Sequence, residues 1–187
     1  MLIYEALEKD HQKLKALVED LVEVSERNER RKAKLLVEEI RDELIPHSRA
    51  EEAVFYNILG TFGEAQPLVL HHGFQEHIEA EAILRSLQAK EDLDKEWHLL
   101  VRKFQKALLE HIDEEENEIF ETAKKFLSET DATMMAATFE QLKPQVLKEG
   151  WVKNTLDLVV NLMPPRYAAT LRTLALKPES NTLRSHH

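Results

Sequence analysis

Four histidines fall where a helix would turn them to one side, and three of them are followed four residues later by a glutamate: His47 with Glu51, His77 with Glu81 and His111 with Glu115, while His11 stands without one. Residues four apart on a helix share a face, with Cβ atoms about 5–6 Å apart. A neutral imidazole binds one metal through one nitrogen, and a carboxylate can span two metals with its two oxygens. An ionised carboxylate turned into a core without a partner costs several kcal/mol, so such groups are paired or metal-bound. The chemistry expected of this set is therefore metal binding on nitrogen and oxygen. Cysteine is absent, which excludes disulfides, iron–sulfur clusters, thiolate metal sites and a cysteine nucleophile.

The elements that must position these residues are helices. Hydrophobic residues make up 43% and charged residues 32% of the 187, with only 4 Gly and 6 Pro, and apolar positions recur at helical spacing almost throughout. The spacing predicts helices over about 2–26, 31–59 (stopped by Gly60), 67–89 (opened by Pro67) and from Asp92 or Asp94 as cap to about 127. Their expected core stripes are Leu7, His11, Leu14, Val18, Leu21; then Leu36, Ile40, Leu44, His47, Glu51, Val54, Ile58; then Leu70, Phe74, His77, Glu81, Leu84; and last Trp97, Val101, Phe104, Leu108, His111, Glu115, Ile119. Short connections make this an all-α, up-down-up-down four-helix bundle. Three shorter helices are expected over about 129–176, with Thr130 or Asp131 capping the first, Gly150 closing it and Pro164-Pro165 separating the other two. Their stripe of Met135, Phe139, Leu142 and Val146, continued by Trp151, Leu158, Val159 and Leu162, would pack on the bundle, on a partner or on a second copy in a homodimer.

The second and fourth helices repeat a pattern. His47-Ser-Arg-Ala-Glu51-Glu52 runs on to Phe55-Tyr56, and His111-Ile-Asp-Glu-Glu115-Glu116 runs on to Ile119-Phe120. Pro46 is expected to bend its helix or loosen it next to His47. With Lys9-Asp10-His11-Gln12-Lys13-Leu14 and Glu76-His77, these segments resemble the hemerythrin-like (HHE cation-binding) domain over about residues 1–127. The resemblance implies two non-haem iron ions bridged by carboxylates and by an oxo or hydroxo group. It makes His11, His47, His77 and His111 terminal ligands, and Glu51 and Glu115 the bridges.

The chain departs from the oxygen-carrying members. They place a further histidine one turn before the third-helix ligand, where this chain has Gly73, and an aspartate five residues after the last histidine, where it has Glu115 at four. An open iron position, filled by water or by Glu81, is the expected consequence, and it favours peroxide or nitric oxide over clean oxygen carriage. His71, His72 and His98 are expected off the core face, and Glu114–Glu118 apart from Glu115 on a solvated face. A ferritin-like oxidase needs two Glu-x-x-His pairs, and only Glu8-Lys-Asp-His11 fits.

The functions carried forward are a di-iron protein that binds or senses oxygen or another diatomic ligand, a di-iron redox enzyme acting on peroxide or nitric oxide, and an iron-responsive interaction module. The formal charge of −10 argues against nucleic acid as a partner. No apolar run is long enough for a bilayer and the N-terminus does not read as a secretory signal, so a cytoplasmic location is expected. Arg184-Ser185-His186-His187 reads as a tag remnant, leaving 128–183 as the C-terminal extension.

Overall fold

The computed structural model describes residues 1–62 and 66–149, together with Met163 and Tyr167. Helix α1 spans Ile3–Glu26 and α2 spans Arg30–Glu51. The second helix continues without a break through a π-helical turn, Glu52–Tyr56, and a last α-turn, Asn57–Leu59. Helix α3 covers Gln66–Ala89 and α4 covers Lys95–Glu114. A second π-turn, Glu115–Ile119, and the α-turn Phe120–Ala123 extend α4. Helix α5 runs over Glu129–Glu149. Each of the first four helices packs on its neighbour in the chain, and α4 closes back on α1, so the ring order is α1-α2-α3-α4. No helix among the described residues is long and apolar enough to cross a membrane.

The ends follow from local chemistry. Of the two candidate caps for α4 it is Asp94 that serves, its Oδ1 accepting the Trp97 N–H at 2.8 Å. Asp92 instead pairs with Arg30 across the bundle end. The cap of α5 is Ser128, one step before the residues expected: its hydroxyl accepts the Asp131 N–H while the Asp131 carboxylate accepts the Ser128 N–H, a reciprocal arrangement. Pro46 sits inside an uninterrupted helix; the irregularity comes after it, at the π-turn.

The core is two apolar clusters separated by a polar layer. One is built around Leu7, Val54, Phe55, Tyr56, Phe120 and Phe139, the other around Leu14, Val18, Ile40, Leu84, Trp97 and Phe104. The stripes point as expected, except that Leu36 is half-buried and Val37 takes the core position beside it, and that Phe74 is half-buried. Met135, Phe139, Leu142 and Val146 are buried where α5 lies on α1 and α2. The expected helices beyond Gly150, the residues Trp151, Leu158, Val159 and Leu162, the Pro164-Pro165 break, the tag remnant and the side chains of Leu70 and His71 lie outside the described residues.

Candidate metal centre

The polar layer consists of His11, His47, Glu51, His77, His111 and Glu115, none more than 5% exposed. Helical phase explains how they meet. His11 lies between Leu7 and Leu14, and the His47–Glu51 and His111–Glu115 pairs each take consecutive core positions on their helices. The rings form two pairs, His11 with His47 at 5.0 Å between centroids and His77 with His111 at 4.6 Å. The two carboxylates lie between the pairs. Glu51 Oε2 is 3.7 Å from His47 Nε2 and 3.3 Å from His77 Nε2. Glu115 Oε2 is 3.2 Å from His11 Nε2 and 3.9 Å from His111 Nε2. Each carboxylate thus faces one imidazole from either pair.

The outer nitrogens make a closed ring of supports. Asp10 on α1 accepts the Nδ1–H of His47 on α2 at 3.3 Å. Glu52, next on that rod, accepts from His77 on α3 at 3.0 Å, and Glu76 on α3 accepts from His111 on α4 at 3.0 Å. Glu116 returns the ring to α1, accepting from His11 at 2.9 Å. A carboxylate accepts, so every Nδ1 carries a proton and every Nε2 is turned inward, toward the shared carboxylates. Sequence reading missed these four supports and placed Glu116 on a solvated face. The signal was available, because each support is adjacent in sequence to a ligand candidate: Asp10 to His11, Glu52 to Glu51, Glu76 to His77, Glu116 to Glu115.

This geometry asks for cations. His77 Nε2 and His111 Nε2 are 3.1 Å apart with both outer nitrogens already committed as donors, so a proton or a metal must lie between them. All four oxygens of Glu51 and Glu115 are buried without a hydrogen-bond partner, a costly arrangement unless a positive charge is present. The electrostatics agree. Burial and the facing Glu115 carboxylate push Glu51 well above the usual carboxylate range. Burial drives the His47 pKa down to about 4 and lowers that of His77, so both are neutral and ready to ligate. His11 differs: burial alone would lower it, but Glu115 and Glu116 raise it to about 9. Two groups of donors lie close enough to hold an ion each, His11–His47–Glu51 and Glu51–His77–His111.

Glu81, expected as a seventh ligand, belongs to neither group. It is buried, but Arg49 holds its carboxylate at 2.7 Å and Arg85 at 3.0 Å. Its place is behind the ring of supports, since the same Arg49 also binds Glu52 at 3.0 Å. His72 lies exposed on the flank of α3, as expected, and His98 is half-buried away from the centre. Glu8, the only candidate for a ferritin-like pair with His11, is exposed.

The gap left by Gly73 is also filled. A Cβ built on Gly73 would come within 2.7 Å of Tyr56 Cε2 and 2.9 Å of its hydroxyl. The Tyr56 ring is fully buried and stacks in parallel on His77 at 5.7 Å. An aromatic ring therefore takes the room that a side chain at position 73 would need. Its hydroxyl is buried without a hydrogen-bond partner, and burial, Glu115 and Glu51 push its pKa well up. Gly73→Ala should thus destabilise the fold by about 1–3 kcal/mol through overpacking, although alanine in an open helix would gain roughly 1 kcal/mol. Chemical denaturation measures it. A variant more stable than wild type would show that Tyr56 does not hold that space.

The family model described as the hemerythrin HHE cation binding domain matches residues 2–123. No curated protein and no solved structure matches the chain.

Proposed function

The chain belongs to the hemerythrin HHE cation-binding family, and from that premise we propose that its buried layer holds two non-haem iron ions and binds or senses oxygen or another small diatomic ligand. The observation that supports this most is the arrangement of two imidazole pairs about two shared, otherwise unpartnered carboxylates. His11 and His47 would hold one ion, His77 and His111 the other, and Glu51 and Glu115 would span both. Mixed imidazole and carboxylate donors suit non-haem iron. When bound, such a pair supplies electrons and coordination positions for a small ligand. The protein supplies the rest. The ring of carboxylates fixes the imidazole tautomers, the apolar clusters keep bulk water out, and the burial of every ligand candidate limits what can enter to molecules the size of oxygen, peroxide or nitric oxide.

Reconstitution with ferrous iron under anaerobic conditions should yield about two irons per chain, with near-ultraviolet absorption after oxidation. One tightly held zinc and no iron would end the di-iron reading. Tyr56 favours a second reading, turnover of peroxide or nitric oxide, because an uncommitted buried hydroxyl beside His77, kept protonated by burial, can donate a hydrogen bond to a ligand bound there. Under that reading Tyr56→Phe slows peroxide consumption at least about tenfold with the iron content unchanged. Absent consumption in wild type leaves binding or sensing as the function.

Metal uptake should depend steeply on pH, and the sign follows from the metal-free state. His11 keeps a proton up to about pH 9 and Glu51 holds one well above the carboxylate range. These protons must leave for the groups to ligate, so loading at pH 7 releases at least the His11 proton. Apparent affinity then rises with pH, by about tenfold per unit for the His11 proton, a contribution that ends above about pH 9. Calorimetry in buffers of different ionisation enthalpy counts the protons. An affinity constant between pH 7 and 9 would contradict the assignment of His11 as a ligand.

A further inference from the structure

The four supports of the imidazole ring are not closed alike. Lys15 lies 3.2 Å from Glu116, Lys143 of α5 lies 2.8 Å from Asp10, and Arg49 lies 3.0 Å from Glu52. Each of these carboxylates therefore has a fixed positive charge at its back. Glu76, the support of His111, has no lysine or arginine partner among the described residues. Its free oxygen, Oε1, is 3.5 Å from His72 Nδ1 instead, and the same nitrogen is 3.2 Å from Glu114 Oε1. Two carboxylates from α3 and α4 thus converge on one imidazole where the other three quarters of the ring hold a cation. One nitrogen and two carboxylate oxygens lie there within 4.8 Å of one another.

We propose that His72, Glu76 and Glu114 form a third metal site, for a single divalent transition-metal ion, at the surface and one carboxylate away from the buried centre. An ion there takes the place that Lys15, Lys143 and Arg49 take behind the other supports. The imidazole donor selects a first-row transition metal over calcium or magnesium, which prefer oxygen alone. His72 is 55% exposed, so water completes the coordination and the ion exchanges freely. Glu76 accepts from His111 through Oε2 and faces the outer ion through Oε1, which sets the outer ion against the support of a buried ligand.

The site depends on the ring of supports and not on which metal the buried centre holds. Calorimetric titration with zinc of protein whose buried centre is already loaded tests it. Wild type should take up one further ion per chain, and His72→Ala or Glu114→Gln should weaken that binding at least tenfold. Both substitutions sit at the surface and should leave circular dichroism unchanged. If wild type takes up no further ion, or both variants bind it as wild type does, the proposal is overturned. Metal analysis of the samples before titration judges the buried centre separately: fewer than two ions there counts against the di-iron reading, whereas the outer site is decided by the difference between wild type and variants.

Discussion

Glu51→Gln should empty the buried centre of both ions, taking metal content from about two per chain to well under one. Glu51 Oε2 faces His47 and His77, one from each imidazole pair, so its loss is felt on both sides of the layer. A neutral amide brings neither the charge nor the second metal-binding oxygen. Without metal the substitution should cost little. The Glu51 carboxylate is wholly buried with both oxygens unpartnered, and it is stable there only by keeping its proton. An amide at that position is neutral at every pH. The metal-free variant should therefore match or exceed metal-free wild type in stability at pH 8. Against the loaded wild type it should lose about 4 kcal/mol when metal is present at a thousand times its dissociation constant, or roughly 8–16 °C of melting temperature for a domain of this size. Glu115→Gln should empty the centre likewise, because its carboxylate faces His11 and His111 in the same way. Without metal, however, it should weaken the fold, since against burial the protons on Glu51 and His11 hold the Glu115 carboxyl in its charged form, well below the usual carboxylate range. A Glu51→Gln protein that retained two ions would remove the shared-carboxylate centre.

Replacing His47 or His77 by alanine should have a different signature, with metal loss and a weaker fold even when no metal is added. Each ring is buried and each holds a carboxylate, Asp10 for His47 and Glu52 for His77. Its removal leaves a cavity against Phe139 or Tyr56 and strips that carboxylate of its donor. Large-to-small core changes cost about 2–5 kcal/mol, so a drop of several kcal/mol in denaturant unfolding is expected of the metal-free protein. Added imidazole should restore part of the metal content by filling the cavity, which separates loss of a ligand from loss of the fold. His98→Ala should change neither quantity, and His72→Ala should leave the buried ions in place, since its ring is outside the layer. Metal loss in His72→Ala together with full retention in His77→Ala would mean that α3 is rotated from the register described.

The bundle and the inward face of each helix were legible in the residues because both are local. A helix repeats every 3.6 residues, so Leu7, His11 and Leu14, or Leu108, His111 and Glu115, share a face whatever lies opposite. Burial of a histidine and a carboxylate at core positions then points to a cation through desolvation alone. What lies opposite is set by packing. Glu81 has the same four-residue spacing from its histidine as Glu51 and Glu115, and only the approach of Arg49 and Arg85 takes it out of the ligand groups. Glu116 belongs to an acidic run that looks solvated, until α1 brings His11 and Lys15 against it. Tyr56 is 17 residues from Gly73 in sequence, beyond any helical repeat, and it reaches the gap from a π-turn that no periodicity announces. The sequence by itself therefore determined which side chains enter the layer, through the period of the helix. Only the tertiary structure decided which carboxylate supports which imidazole and what fills the space at Gly73, because those contacts join different helices and depend on how each is rotated against its neighbour.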